Sequence, residues 1–328
     1  MSCRSCATLV VLAGMLAVSL PGQAPQGWTV PRTPDGHPDL QGIWTNATIT
    51  PLQRPDAFAN KPTLTDAEAA AFEKKSAQEL ADVDGKSESP LLAAAGSNGT
   101  GGYNVLFIDR GSELARVDGV KRTSLIVDPP DGKVPRLTAA GQRQFAREGG
   151  GTGTNSVKDR PLSERCILGF GSTAGPPMLP VLYNNNYQIV ETPEYVMILV
   201  EMVHDARIIR INGTHPPTTV RQWLGDSIGH WDGDTLVVDT TNFASKTRFS
   251  GSGENLHVVE RFTRSGPDSI LYKATIEDPD TYARPWTVEY PFLATQGPIY
   301  EYACHEGNYA EFDILGGARK REAEVGRK

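Results

Sequence analysis

The residues best equipped for chemistry gather near the end of the chain, in Tyr300-Glu-Tyr-Ala-Cys-His-Glu-Gly-Asn-Tyr309. His305 beside Glu306, next to a cysteine able to anchor the segment, is the kind of arrangement that orients a general base. Strand alternation singles out two more carboxylates. In Leu256-His-Val-Val-Glu-Arg-Phe262 a period of two places Leu256, Val258, Glu260 and Phe262 on one face, and Glu201 shares a face with Met197, Leu199 and Val203. A carboxylate among apolar neighbours is costly unless it is paired or hydrogen-bonded. Glu201 and Glu260 are therefore expected either to face a sheltered lumen and serve acid/base chemistry, or to pair with an arginine such as Arg207, Arg221, Arg261 or Arg284. The candidate catalytic set is Glu201, His204, Glu260, His305 and Glu306. Arg207, Trp223, Tyr300 and Tyr302 are the candidate ligand-binding residues. The aromatics among them either fill the core or present flat faces to a ring-shaped or sugar ligand.

The histidines (His37, His204, His215, His230, His257 and His305) show neither an i, i+4 nor a His-x-His spacing. A metal would need residues far apart in sequence, such as His204, His305 and Glu306 or Glu201, so no metal and no cofactor is assigned. Individual structural roles, such as turn hydrogen bonds, are expected for most of the histidines. No Gly-x-Ser-x-Gly elbow occurs, and the small-residue run Gly169–Pro180 lacks the Gly-Lys-Ser/Thr ending of a phosphate loop.

The elements that must position these groups are short and extended. Tyr187–Glu191, Tyr195–Val203, Arg207–Ile211, Val220–Trp231, Asp234–Phe243, Leu256–Thr263, Ser269–Glu277, Trp286–Leu293 and Ile299–Cys304 all read as strands separated by Gly, Pro, Asn and Asp. Asp232-Gly233 between two such runs predicts a type I′ hairpin. About eight strands with short connections predict a mainly β fold, an antiparallel up-and-down barrel or strongly coiled sheet. A two-sheet sandwich is the alternative. Ahead of it, residues 25–155 read as an irregular wrapping region: a Pro-rich arm, a strand at Gly42–Thr45, a helix over 65–81 opened by the capping box Thr65-Asp-Ala-Glu68, further strands at Tyr103–Asp109 and Ser124–Asp128, and a short helix capped by Thr138. The barrel is expected over 156–315, with a disordered tail over 316–328.

Residues 1–24 have the pattern of a secretory signal, with Arg4 ahead of an apolar run from Ala7 to Leu20 that is short for a membrane span. If Cys3 and Cys6 leave with it, Cys166 and Cys304 remain as an even pair in an oxidising compartment. They are expected either to form a disulfide or to stay as two buried thiols. A bridge would close a loop of roughly 140 residues, for which chain entropy gives ~4–5 kcal/mol. The formal charge of −7 with no long basic run argues against nucleic-acid and anionic-membrane partners. The expected product is a periplasmic or secreted protein without stable membrane insertion after signal removal.

Three motifs, Pro34-Asp-Gly-His-Pro-Asp-Leu-Gln-Gly-Ile-Trp44, Gly229-His-Trp-Asp-Gly-Asp-Thr-Leu-Val-Val238 and Tyr300-Glu-Tyr-Ala-Cys-His-Glu-Gly-Asn308, resemble those of a group of exported soil-bacterial proteins with no assigned activity. Separately, Gly42-x-Trp44 on an early strand resembles the opening of lipocalin-type, or calycin, barrels, in which the tryptophan closes one end. Two functions are expected from these readings. One is capture of a small, partly apolar molecule in a polar-lined lumen. The other is metal-independent acid/base catalysis (hydrolysis, elimination or isomerisation) on the same scaffold, using Glu201 or Glu260 with His204 or His305.

Overall fold

A computed structural model describes residues 27–83, 108–148, 153–169, 175–247 and 249–326. In chain order the elements are β1 (Gly42–Thr45), β2 (Thr63–Leu64), α1 (Asp66–Val83), β3 (Arg116–Val117), β4 (Val120–Arg122), β5 (Ile126–Asp128), α2 (Ala139–Glu148), β6 (Asn186–Glu191) and β7 (Tyr195–Val200). They continue with β8 (Ala206–Ile211), β9 (Asp226–Asp232), β10 (Thr235–Thr241), β11 (His257–Gly266), β12 (Ser269–Glu277), β13 (Trp286–Ala294) and α3 (Tyr309–Val325).

Nine strands close into a barrel in the order β1, then β6 to β13, with β1 pairing back to β13. The closing strand comes from the N-terminal arm, so the barrel draws on residues outside the expected 156–315. β5 extends the free part of the β13 edge, and β2, β4 and β3 form a small separate sheet. The barrel is mixed and not purely antiparallel, because β8 and β9 run parallel. A parallel step needs a crossover of a dozen or more residues. The Pro216-Pro217-containing connection from Asn212 to Gly225 supplies it. The β9–β10 hairpin is shifted by one residue from expectation. Its loop is Gly233-Asp234, flanked by the pair Asp232 and Thr235, and Gly233 has φ +59°. A positive φ at the first loop residue alone is the type II′ pattern rather than type I′.

Helix α1 begins on its capping box, with Thr65 N donating to Glu68 at 3.0 Å and Glu68 N donating to Thr65 Oγ1 at 3.4 Å. Thr138 caps α2 by accepting from Gly141 N at 3.0 Å. The expected disordered tail is instead largely helical: α3 continues to Val325 and lays Arg319 Nη2 on the carbonyl of Thr154 at 2.8 Å. The expected leader and most of the expected 103–109 strand lie outside the described residues. Among the described residues no helix is long and apolar enough to cross a membrane.

Alternation fills the barrel. Tyr187 and Ile189 of β6, Val196, Ile198 and Val200 of β7, Val258 and Phe262 of β11, and Tyr272 of β12 are buried, as are Tyr290 and Phe292 of β13. The aromatic rings stack on one another at the waist, with centroids 4.9 Å apart for Tyr272–Phe292 and 5.4 Å for Tyr187–Phe292. Each such side chain contributes about 1.5–3 kcal/mol on burial. Trp44 of β1 is buried, its indole donating to Leu40 O at 2.9 Å and carrying the Arg264 guanidinium 4.6 Å above its ring.

Candidate functional site at the barrel mouth

The structure divides the residues expected to act together. Glu260 does point inward, but Arg207 meets it there. The guanidinium donates to both carboxylate oxygens, at 3.1 and 2.5 Å, and Tyr272 donates a third hydrogen bond at 2.9 Å. Burial alone would lower the Arg207 guanidinium, but the Glu260 charge and hydrogen bonds outweigh it and hold it above its usual value. Of the two outcomes expected for Glu260, this is the ion pair with an arginine.

Glu201 is buried, though not by the expected alternation. The inward residues of β7 are Val196, Ile198 and Val200, whereas Met197 and Leu199 face outward, and Glu201 lies just past the strand's end. Its two oxygens accept from Tyr300 N at 3.1 Å and Asn186 Nδ2 at 3.0 Å. His204 Nε2 sits 3.2 Å from Tyr300 O and from Tyr302 N. Glu201 and His204 thus clamp the 300–302 segment. Tyr300 projects into solvent and Tyr302 packs against the core. His305 and Glu306 are exposed and separate from that clamp. The Cys166–Cys304 disulfide forms, with Cα atoms 5.7 Å apart.

A different carboxylate occupies the mouth of the barrel. The alternation that turns Tyr187 and Ile189 inward continues to Glu191, the last residue of β6, which pairs with Val196 across the hairpin. From β9, Trp231 forms the facing wall. The N-terminal arm folds over both. Arg32 bonds to the Asp234 carboxylate at 2.9 Å, a tight turn links Thr33 and Gly36, and His37 lies flat on Trp231, with centroids 4.8 Å apart and planes within 5°. The prolines that deny this arm a helix let it act as a fitted cover.

Between arm and barrel lies a hollow of about 260 Å³, bounded by Glu191, Asp35, Gln41, His37, Trp231 and Val196 among others, with no Lys or Arg among the described residues that line it. Glu191 Oε2 accepts from Leu40 N at 3.2 Å, while Oε1 is buried without a hydrogen-bond partner among the described residues. Burial, reinforced by the nearby Asp39 and Asp35 charges, pushes the Glu191 carboxyl up to about 7, against the opposing pull of Leu40 N–H and Arg264. Thr33 donates to Asp35 at 2.5 Å and holds that exposed carboxyl below its usual range.

The barrel's outer wall carries a second arrangement that residue spacing did not reveal. His215 Nδ1 lies 2.7 Å from Asp226, and its Nε2 lies 2.9 Å from Asp239. The other Asp239 oxygen lies 2.9 Å from His257 Nε2, and His257 Nδ1 lies 3.2 Å from Glu277. Hydrogen bonding to Asp239 raises His257, and the reciprocal bond lowers Asp239. Burial would raise Asp226, but Arg210 and His215 outweigh it and hold it low. Among the described residues no group of three or more His, Cys, Asp or Glu has an arrangement that could hold a metal, so the stripe is a hydrogen-bonded one.

No protein-family model matches this chain, and no curated protein is significantly similar to it.

Proposed function

We propose that the protein captures a small, partly apolar molecule at the barrel mouth, with an N–H or O–H donor of that molecule satisfying Glu191. The observation that carries this reading is the unpartnered Oε1 of Glu191, a residue lining a hollow whose other walls mix apolar surface (Trp231, Val196, Pro34, Pro193) with polar side chains such as Asp35 and Gln41. A buried acceptor without a donor costs ~1–3 kcal/mol, so a ligand that supplies the donor recovers that energy on binding. The described lining residues include no Lys or Arg, which together with the Asp35 charge favours an amine over an acid. A hollow of 260 Å³ admits a group about the size of a single ring. The Cys166–Cys304 bridge supports an exported protein, because such bonds persist in oxidising compartments.

Benzylamine and benzoate serve as probes, read by saturation-transfer NMR and by tryptophan fluorescence. Benzylamine binds in the millimolar range or tighter near pH 8 and benzoate does not. Glu191→Gln weakens benzylamine by at least about tenfold, roughly 1.4 kcal/mol. Equal affinity in the wild type and Glu191→Gln would remove Glu191 from the site. A second reading, acid/base catalysis, is favoured by a carboxyl poised near neutrality. It now rests on Glu191, since the Glu201, His204 and Glu260 side chains are engaged in bonds. A bound probe recovered chemically unchanged supports capture, whereas product formation abolished by Glu191→Gln supports catalysis.

A further inference from the structure

A larger cleft, about 760 Å³, opens on the outside of the barrel between β8, the 212–225 crossover and the segment after Cys166. Three large apolar side chains in its wall are unusually open to solvent: Ile208 at 50%, Tyr195 at 45% and Trp223 at 39%. The far wall, Ile167 and Leu168, is fixed through the disulfide at Cys166 and by Asn308 Nδ2 donating to Glu164 O at 2.8 Å. Open aromatic and aliphatic surface gathered in a braced cleft is the usual mark of a binding site.

The polar groups narrow the ligand. Arg210 is committed to both Asp226 oxygens, at 2.8 and 2.9 Å, and to Thr214 O at 2.9 Å. Arg221 Nη1 donates to Phe243 O at 3.0 Å and Glu254 O at 2.7 Å. Asp205 is different. Its Oδ2 is buried with no hydrogen-bond partner among the described residues, and burial pushes the carboxyl up to about 6. An anion entering the cleft would meet Asp205, and a cation would meet two guanidiniums. A neutral molecule with hydroxyl donors avoids both penalties and supplies what Asp205 lacks.

We propose that this cleft binds a neutral, ring-shaped molecule bearing hydroxyl groups, a saccharide or an aromatic alcohol, its ring against Trp223 and one hydroxyl donating to Asp205. This site is independent of the barrel mouth.

Saturation-transfer NMR with cellobiose and with 4-hydroxybenzyl alcohol, each at millimolar concentration and about pH 8, distinguishes the two sources. One probe binds, with the strongest transfer to its ring protons. Trp223→Ala weakens it roughly tenfold, Trp223→Phe keeps most of the affinity, and Asp205→Asn weakens it several-fold. Thermal midpoints confirm that each variant is folded. Binding of neither probe, or binding indifferent to both Trp223→Ala and Asp205→Asn, overturns the proposal.

Discussion

Glu260 and Glu191 are inward carboxylates on strands of one barrel, yet the waist and the mouth treat them oppositely. At the waist Glu260 has a guanidinium on both oxygens and a phenol besides, and almost every polar group around it is answered, with Arg207 Nε the exception. At the mouth Glu191 has one backbone N–H, two acidic neighbours and an idle oxygen. Burial is common to both, so burial does not mark the functional group. The missing partner does. A carboxylate whose hydrogen-bonding capacity is used up by its own fold is structural, and one left short is available to something arriving from outside.

Cutting the waist pair should have the largest effect. Glu260→Gln leaves a buried guanidinium without a counter-charge, and the expected loss is about 3–5 kcal/mol, measured by chemical denaturation. Replacing both members with apolar residues of similar volume (Arg207→Met with Glu260→Leu) recovers most of it, since desolvating the pair offsets much of its attraction. A double variant as unstable as the single one would mean that Arg207 and Glu260 do more than neutralise each other.

The sequence made the barrel legible because its signals are local. Period-two runs bounded by turn residues identified the strands from β6 to β13, and Thr65 with Glu68 located the start of α1. Closure by β1 and the parallel β8–β9 step were not legible, since both depend on where the chain returns after long connections. Glu260 facing inward was read correctly from alternation, and Arg207 was among the partners considered for it. Glu201 was grouped with Met197 and Leu199 because Tyr195–Val203 was read as one unbroken strand, although it ends at Val200; Glu201 is buried, but past the strand and not through its alternation. Glu191 was missed although the same rule would have found it: Tyr187, Ile189 and Glu191 alternate in plain view. The mouth itself could not be foreseen, because an irregular arm over 31–41 builds half of it.

The mouth carboxyl also ties stability to pH. The folded carboxyl of Glu191 is raised from an ordinary value near 4.5 to about 7. The folded state therefore holds a proton that the unfolded chain releases, and stability falls as pH rises from about 4.5 to 7 and then levels off. Glu191→Gln removes this slope. It should be more stable than the wild type above pH 7, by on the order of 1–2 kcal/mol after discounting for solvent screening of a partly exposed group. Denaturation curves at several pH values measure the difference. A wild type and variant that run parallel across that range would mean that the mouth carboxyl is as well satisfied as the one at the waist.

The smallest effect lies on the outer stripe, where the groups are paired as at the waist but stand half in water. His257 is raised from 6.5, so its contribution is complete below that value and is lost as pH climbs through the folded value. Asp239 is lowered from 3.8, so its contribution is complete above that value and is lost on acidification. The stripe is thus strongest between about pH 4 and 6.5. Asp239→Asn takes a carboxylate from both His215 and His257 and should cost about 0.5–1 kcal/mol near pH 5.5, with the difference shrinking by pH 8. Added salt should reduce the cost, because these charges are within reach of counter-ions, whereas the loss from Glu260→Gln should be nearly insensitive to salt. If salt left the Asp239→Asn difference untouched, the outer groups would be behaving as a buried array, and solvent access would not be what separates the wall from the waist.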